Sequence, residues 1–330
     1  MVKVTIDGIE IEVEPGTTIL NAARQIGGDV VPPTMCYYSK LNGSGGKCRT
    51  CIVKVAQGSA KDPRPMPKPV ASCSTPVQDG MVVQNITSPE LLEARKGVVE
   101  MLLINHPLDC PICDQAGECD LQNLSYEHGL SKTRYEEEKN TYEKIDIGPY
   151  IKLNMNRCIL CYRCVKLADQ LTEKRVHGVL NRGDAAEIGT YIHNSIENDF
   201  SGNMIDVCPV GALTDRTFRF KSRVWFVDPK SAHRDCKKCS GKVVLWMHGK
   251  DDIYRVTGRK DKYGELEEFI CNECRFDKKD IKDWVVEGPR VMERSSVIAQ
   301  NQYVLKEPPH RINLNSVELV SKNVLTEGGN

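Results

Sequence analysis

Hydrophobic and polar residues alternate at the start of the chain with the period of a β-strand. The alternation runs over residues 2–6, is interrupted by an Asp-Gly pair, and resumes over residues 9–13. An Asp-Gly pair between two alternating runs predicts a β-hairpin. Thr17 or Thr18 can cap a short helix whose apolar face ends at Gly27. The pattern therefore predicts a small α+β unit at this end.

In later segments the apolar residues recur with other periods. Ser88-Pro89-Glu90 is typical of a helix start, and apolar residues at helical spacing follow it as far as Leu103. A β-like run occupies Val243–Met247. We expect an α+β multidomain protein, with a final segment that is extended and wraps a partner. The expected units are residues 1–87, 88–145, 146–222, 223–285 and the tail 286–330.

Composition narrows the classes of function. The net charge is zero, which gives no reason to expect nucleic acid as a partner. No apolar run is long enough to span a bilayer, and the first residues lack the pattern of an export signal. We therefore expect a reducing compartment, where fifteen cysteines bind metal rather than form disulfides. With 6% aromatic residues, several small metal-bound domains are more plausible than one large core.

The first candidate metal site has the spacing Cys-x11-Cys-x2-Cys-x21-Cys. A close Cys-x2-Cys pair with two outlying cysteines is the plan of a plant-type [2Fe–2S] site, although the first gap is longer here. Glycines in the loop let backbone N–H groups approach the cluster. Zinc or four structural cysteines are the alternatives. The ligands would be Cys36, Cys48, Cys51 and Cys73.

The second candidate site combines a histidine with three cysteines. The histidine stands four residues ahead of a cysteine group that would otherwise lack a fourth ligand. On spacing alone, either an iron–sulphur cluster or zinc fits. An imidazole in place of a thiolate removes one negative charge, which should raise the potential of a cluster. The ligands would be His106, Cys110, Cys113 and Cys119.

The third candidate site has the run Cys-x2-Cys-x2-Cys and a remote Cys-Pro, the ligand order of a bacterial-type [4Fe–4S] site. Proteins with two such clusters carry another cysteine four residues after the third, but position 168 is Ala. One cluster is therefore expected. The ligands would be Cys158, Cys161, Cys164 and Cys208.

The fourth candidate site consists of two Cys-x2-Cys pairs separated by 31 residues. Taken alone, two such pairs indicate a zinc ribbon, although this separation is long. The ligands would be Cys236, Cys239, Cys271 and Cys274. The four sets together use all fifteen cysteines.

No other catalytic apparatus is visible in the sequence. It contains neither a Gly-x-Gly-x-x-Gly fingerprint nor a phosphate loop. We therefore expect no catalytic residues and no hydride transfer within the chain. The metal groups would carry single electrons, and the protein would set their positions and potentials.

Three segments resemble the G-subunit family of bacterial NADH:quinone oxidoreductase (respiratory complex I), whose mitochondrial member is the 75 kDa subunit. They are His106-Pro-Leu-Asp-Cys-Pro-Ile-Cys with the following Gly-Glu-Cys, Asn156-Arg-Cys-Ile-Leu-Cys-Tyr-Arg-Cys, and Asp206-Val-Cys-Pro-Val-Gly-Ala-Leu-Thr. The resemblance implies a β-grasp [2Fe–2S] domain, a [4Fe–4S] segment with one histidine and three cysteine ligands, and a single-cluster ferredoxin-like domain. The protein would carry electrons from a flavin subunit towards quinone, making it part of an oxidoreductase of the translocase class.

Residues 223–280 also resemble the small iron–sulphur domain that opens molybdopterin oxidoreductases. That family's third cysteine position holds Val243 here, whereas Cys274 stands where the family has glycine. One ligand is lost and one gained, which favours a retained metal site, with [4Fe–4S] preferred and zinc next. The G-subunit family's long molybdopterin-type C-terminal domain is missing, so we expect a shortened form.

The resemblance also implies binding partners and a location in the cell. Expected partners are the flavin subunit that binds NADH, a small [2Fe–2S] subunit and the quinone-proximal subunits. The chain would lie on the cytoplasmic side of the inner membrane, held by the complex without inserting into the lipid. The alternative is the electron-transfer subunit of a soluble NAD-linked hydrogenase or formate dehydrogenase. Those relatives commonly carry a full two-cluster unit, which Ala168 opposes.

Overall fold

The computed structural model describes residues 1–143, 146–171, 177–191, 196 and 198–287. The predicted tail lies outside these residues, apart from its first two positions. Residues 1–287 form one compact unit. No helix in the described ranges is both long enough and apolar enough to cross a membrane.

The first sheet is mixed and has the strand order β2-β1-β5-β3-β4. The predicted hairpin is confirmed, because β1 pairs antiparallel with β2 and places Val4 opposite Ile11. Asp7 and Gly8 between them have φ values of 46° and 86°, as a tight Asp-Gly turn requires. β1 pairs in parallel with β5. The five strands are β1 (Val2–Ile6), β2 (Ile9–Val13), β3 (Ile52–Gln57), β4 (Val70–Ala71) and β5 (Met81–Gln84).

Two helices flank this sheet. α1 (Ile19–Ile26) begins after Thr18, whose side chain accepts from the N–H of Asn21, and ends at Gly27, as predicted. α2 (Pro89–Leu103) follows Ser88, also as predicted. Its buried face differs from the expected apolar stripe, because it includes Arg95. The Arg95 guanidinium donates to the carbonyl oxygens of Thr50 (3.1 Å) and Ile52 (3.0 Å), which docks α2 against β3.

Among its described residues, the middle of the chain contains two small antiparallel sheets and three α-helices. β6 pairs with β9, and β7 pairs with β8. The strands are β6 (Ile151–Leu153), β7 (His177–Leu180), β8 (Glu187–Thr190) and β9 (Leu213–Asp215). The helices are α3 (Asp120–His128), α4 (Arg163–Leu171) and α5 (Asn203–Val207).

The last sheet has the order β12-β11-β10-β13. Its strands are β10 (Asp228–His233), β11 (Lys242–His248), β12 (Asp252–Gly258) and β13 (Val285–Val286). β11 confirms the predicted β-like run. Val286 pairs with Ala232 and Glu287 bonds to Arg259, so the sheet continues past the sequence-based boundary at residue 285.

The segment after β12 folds back onto the first sheet. Arg24 and Glu265, both nearly buried, form an ion pair at 2.7 Å. The N–H of Ser39 donates to Glu265 at 2.7 Å, and the N–H of Leu266 donates to the Tyr38 hydroxyl at 2.5 Å. The units expected from the sequence are therefore joined by buried polar contacts. The main core also draws on several of them at once, from Met35 to Phe276.

Candidate metal centres

The first set of cysteines lies in the loop between α1 and β3 and after β4. All four side chains are buried. The N–H of Gly46 donates to the Cys73 sulphur at 3.1 Å, and the N–H groups of Lys47 and Cys48 point at the Cys36 sulphur at 3.4 Å. The glycine-rich loop thus aims backbone donors at ligand sulphurs, which stabilises a negatively charged group there.

The thiols of the first set lie within hydrogen-bonding reach of one another. Hydrogen bonds from Cys48 and Cys73 hold the pKa of Cys36 well below its usual value. A hydrogen bond from Cys73 lowers the pKa of Cys51 to about 7. A metal group at this site would replace these shared protons, since metal ligands must be thiolates. The donor set fits the predicted cluster.

The second set surrounds a small cavity of about 20 Å³ between the end of α2 and the start of α3. All four predicted ligands line it: His106, Cys110, Cys113 and Cys119. Nδ1 of His106 is buried without a hydrogen-bond partner. Burial, followed by the charge of Arg157, lowers the pKa of His106, so its imidazole is neutral and free to bind a metal. Burial raises the pKa of Cys119 to about 12.

The third set encloses a small apolar cavity of about 10 Å³ near β6 and β9. Its lining includes all four predicted ligands, Cys158, Cys161, Cys164 and Cys208. Between the cysteines, Leu160 and Tyr162 adopt left-handed backbone angles, with φ of 51° and 64°. Such angles are uncommon for side chains of this size and persist where a site requires the loop shape. The N–H of Leu160 donates to the Cys158 sulphur at 3.3 Å.

Two residues beside the third set, His177 and Arg163, make contacts that the sequence did not predict. His177 on β7 is buried, and its Nε2 lies 3.3 Å from the Cys164 sulphur. Burial lowers the pKa of His177 to about 4, which keeps the ring neutral. Arg163 precedes Cys164 in the motif, but the spacing of the cysteines did not indicate that its side chain contacts other parts of the chain.

Contacts place the third set between the first and the second. Arg163 donates to the carbonyl oxygen of Tyr37, next to Cys36, at 2.8 Å and to that of Val207, next to Cys208, at 3.5 Å. On the other side, a Cβ atom added to Gly211 would lie only 2.1 Å from the Cys113 sulphur. The spatial order is therefore first, third, second, which differs from the order along the chain.

The fourth set is geometrically different. Its four sulphurs all lie within 4.8 Å of one another. In the described part of the chain, no three ligand atoms of the other sets meet that closely. Cys271 and Cys274 are fully buried, whereas Cys236 and Cys239 are partly exposed. The structure thus brings the two predicted pairs together.

Comparison with protein families matches three segments of the chain. Residues 1–88 match a 2Fe-2S iron-sulfur cluster binding domain, and residues 95–134 match the NADH-ubiquinone oxidoreductase-G iron-sulfur binding region. Residues 148–214 match the ferredoxin-like domain of NADH-quinone oxidoreductase subunit 3. Together with the cysteine-lined sites on a mixed α/β fold, these matches define an iron–sulphur protein with both 2Fe-2S and 4Fe-4S domains.

Comparison with individual proteins identifies the family within this class of iron–sulphur protein. The G subunit of NADH-quinone oxidoreductase from Rickettsia bellii is 37% identical over 300 residues, which are 91% of this chain and 42% of that protein. The 75 kDa subunit of NADH-ubiquinone oxidoreductase from Reclinomonas americana is 39% identical over 293 residues, 89% of this chain and 40% of that protein. The chain belongs to this G-subunit (75 kDa subunit) family. It spans about two fifths of the length of these curated relatives.

A solved structure is similar over much of the described fold. It is an NAD+-reducing [NiFe]-hydrogenase in the H2-reduced state, with a TM-score of 0.57 and 28% identity. The match covers 68% of this chain and 91% of the hydrogenase chain. A similar fold thus occurs in a second class of NAD-linked oxidoreductase.

Proposed function

We propose that the chain is the electron-carrying iron–sulphur subunit in the peripheral arm of an NADH:quinone oxidoreductase. The observation that carries this proposal is the arrangement of the first three cysteine sets. Sulphurs from all three belong to one buried core: Cys36, Cys48, Cys119, Cys161, Cys164 and Cys208. A protein that holds redox groups side by side in a dry core provides a path for electrons and needs no substrate pocket of its own. The family's members are named as subunits of such a complex.

The donor sets support particular groups at these sites. The mixed first sheet, with one helix between β2 and β3, suits the proposed β-grasp [2Fe–2S] domain over residues 1–87. The cavities of the second and third sets support a [4Fe–4S] cluster in each, for residues 88–145 and 146–222. When bound, these clusters supply one-electron redox chemistry.

Charge within the core favours such groups. Arg163 is 6% exposed and lies between the first and third sets. Its positive charge balances part of the negative charge that thiolate-bound clusters bring into the core. Arg157, 4% exposed, pairs with Asp109 at 2.8 Å and lines the cavity of the second set. Arg163 therefore holds positive charge beside the first and third sites, and the Arg157–Asp109 ion pair lies beside the second.

The surface beside the second set suits the transfer of electrons to or from a partner. Cys110 is exposed, and the neighbouring Leu108 and Ile112 are 94% and 58% exposed. Exposed apolar residues around a redox ligand are typical of an interface. We propose that quinone-proximal subunits bind here and that the flavin subunit and the small [2Fe–2S] subunit lie towards the first set. The chain would then be peripheral, on the cytoplasmic side of the inner membrane.

The second candidate is the electron-transfer subunit of an NAD-linked hydrogenase, which the structural similarity favours. The same core would serve that function, and the partner would differ. Co-purification separates the two: a quinone-reducing membrane complex supports the first, and a soluble hydrogenase supports the second.

Electron transfer can be tested through the middle site. In the complex as isolated anaerobically, Cys161→Ala removes a ligand of the third set. We expect NADH still to reduce the first cluster and no longer to reduce the second, as followed by paramagnetic resonance after rapid freezing. Dithionite, which reaches each site directly, should reduce both and serves as the control for cluster content. Unchanged reduction of the second cluster by NADH would contradict the proposed path.

A further inference from the structure

We propose that Cys236, Cys239, Cys271 and Cys274 bind one zinc ion in a tetrahedral structural site. The proposal replaces the [4Fe–4S] cluster that the sequence favours at this position. It concerns a part of the chain that the proposed electron path does not use.

Distances between the sulphurs carry the proposal. Cys236 and Cys271 lie 3.8 Å apart, and Cys239 lies 3.7 Å from both Cys271 and Cys274. Four thiolates about 2.3 Å from one zinc ion, at the corners of a tetrahedron, are about 3.8 Å apart. In a [4Fe–4S] cluster each thiolate binds a different iron and points away from the others, so the sulphurs are separated by the cluster and cannot touch.

The third set provides a comparison within the same molecule. Its cysteines stand around an apolar cavity, and among the described residues no three of their sulphurs lie within 4.8 Å of one another. The sulphurs of the fourth set converge on a single point instead. One fold thus contains both arrangements, and the fourth has the dimensions of a single ion.

The backbone around the first pair has the form of a metal knuckle. The pair lies in the hairpin loop between β10 and β11. The N–H of Lys238 donates to the Cys236 sulphur at 3.5 Å, and the N–H of Gly241 donates to the Cys239 sulphur at 3.4 Å. Gly241 has φ of 69°, and a Cβ atom there would lie 2.0 Å from the Arg234 carbonyl oxygen. The loop therefore requires glycine to turn both sulphurs towards one ion.

The second pair is held rigidly by buried polar contacts. Between its cysteines, the Asn272 side chain accepts from the N–H of Gly202 and donates to the Asn198 carbonyl oxygen, both at 2.9 Å. Arg275, directly after Cys274, is fully buried and pairs with Asp206 on α5. A closed site of four cysteines on rigid backbone is characteristic of structural zinc. Bound zinc would fasten the last sheet to the helix that leads to Cys208.

Metal analysis of the native protein tests the identity of the ion. Cells are grown with excess iron and no added zinc, and the protein is purified anaerobically. We expect one zinc and about ten irons per chain, since the first three sites account for one [2Fe–2S] and two [4Fe–4S] clusters. About fourteen irons without zinc would overturn the proposal. So would about eleven irons without zinc, which indicates a single iron ion, or about ten irons without zinc, which indicates no metal.

Two variants then assign the ion to its site. Cys274→Ser should reduce zinc to below about 0.2 per chain while iron and acid-labile sulphide stay constant. The matched variant Cys161→Ala should lose about four irons and keep its zinc. Loss of iron and sulphide from Cys274→Ser would overturn the proposal. Cobalt exchanged into the unaltered protein gives a measurement independent of variant folding, because tetrahedral cobalt thiolate absorbs visibly, and absence of that absorption would also overturn it.

This result can be separated from the proposed function. Iron missing from the first three sites would refute the electron path and leave the zinc assignment intact. Iron and sulphide at the fourth site would refute the zinc assignment and leave the electron path intact.

Discussion

Gly211→Ala is the smallest change that should separate the second cluster from the third. Gly211 follows Cys208 in the third motif, yet its added methyl group would lie 2.1 Å from the sulphur of Cys113, a ligand of the second site. Its backbone φ is not in the left-handed region, so the substitution introduces a steric conflict and no backbone strain.

The size of the conflict follows from the structure. Ordinary contact with a Cβ atom begins near 3.4 Å, so the Cys113 sulphur would have to retreat by about 1.3 Å. Metal–ligand bonds keep their lengths to within about 0.2 Å. The methyl group also meets Gln115 at 3.2 Å, which limits retreat in that direction. Overpacking of this kind costs about 1–3 kcal/mol even without a metal. We expect the second cluster to be lost or strongly distorted.

The assay is paramagnetic resonance of the dithionite-reduced, anaerobically purified protein, together with iron and sulphide content. Gly211→Ala should lose about four irons and the signal of the second cluster, and keep the signals of the first and third. Gly97→Ala is the matched control, because Gly97 lies within α2 with open space around its Cβ position. It should keep all clusters and gain about 0.5–1 kcal/mol from helix propensity. A full set of signals from Gly211→Ala would refute the described packing of Cys113 against the third motif.

Three further predictions concern other buried groups. His106→Cys should retain a cluster and lower its potential, because a thiolate adds negative charge; an unchanged potential in a redox titration would contradict His106 as a ligand. Arg275→Met leaves the Asp206 carboxylate buried without its partner and should destabilise the chain by about 3–5 kcal/mol in thermal unfolding, whereas adding Asp206→Leu should restore part of the loss. Lys279→Met should stabilise the chain by on the order of 3 kcal/mol below pH 8, because burial lowers the pKa of Lys279 to about 8 from 10.5. That gain should vanish as the pH rises from 8 to 10.5, where the native amine loses its proton before the unfolded one; a gain independent of pH would contradict the buried charge.

Much of the local structure could be predicted from the sequence, because it depends on short-range physics. The Asp7-Gly8 turn, the Thr18 cap and the start of α2 each follow from the preferences of a few adjacent residues. The grouping of cysteines into sets likewise depended on spacing, and the structure places the predicted members of each set together.

Long-range relations could not be predicted in the same way. Nothing in the spacing indicated that Arg163 joins two sites, that His177 contacts Cys164, or that Gly211 contacts Cys113. Each contact joins segments that are separated in the sequence. A single sequence does not give the spatial distances between such segments. The same limit applies to the metal at the fourth site, since Cys-x2-Cys pairs suit either a cluster or one ion until the sulphur positions are known.

The fold-back of the segment after β12 has a consequence for oxygen sensitivity. Leu266 and Glu265 lie over Tyr38 and Ser39, two and three residues after Cys36, and Leu266 is fully buried there. The segment after β12 therefore covers the loop that holds Cys36. A protein cut before residue 223 would keep all four cysteines of the first set and lose this cover, so its first cluster should bleach faster in air than that of the intact chain.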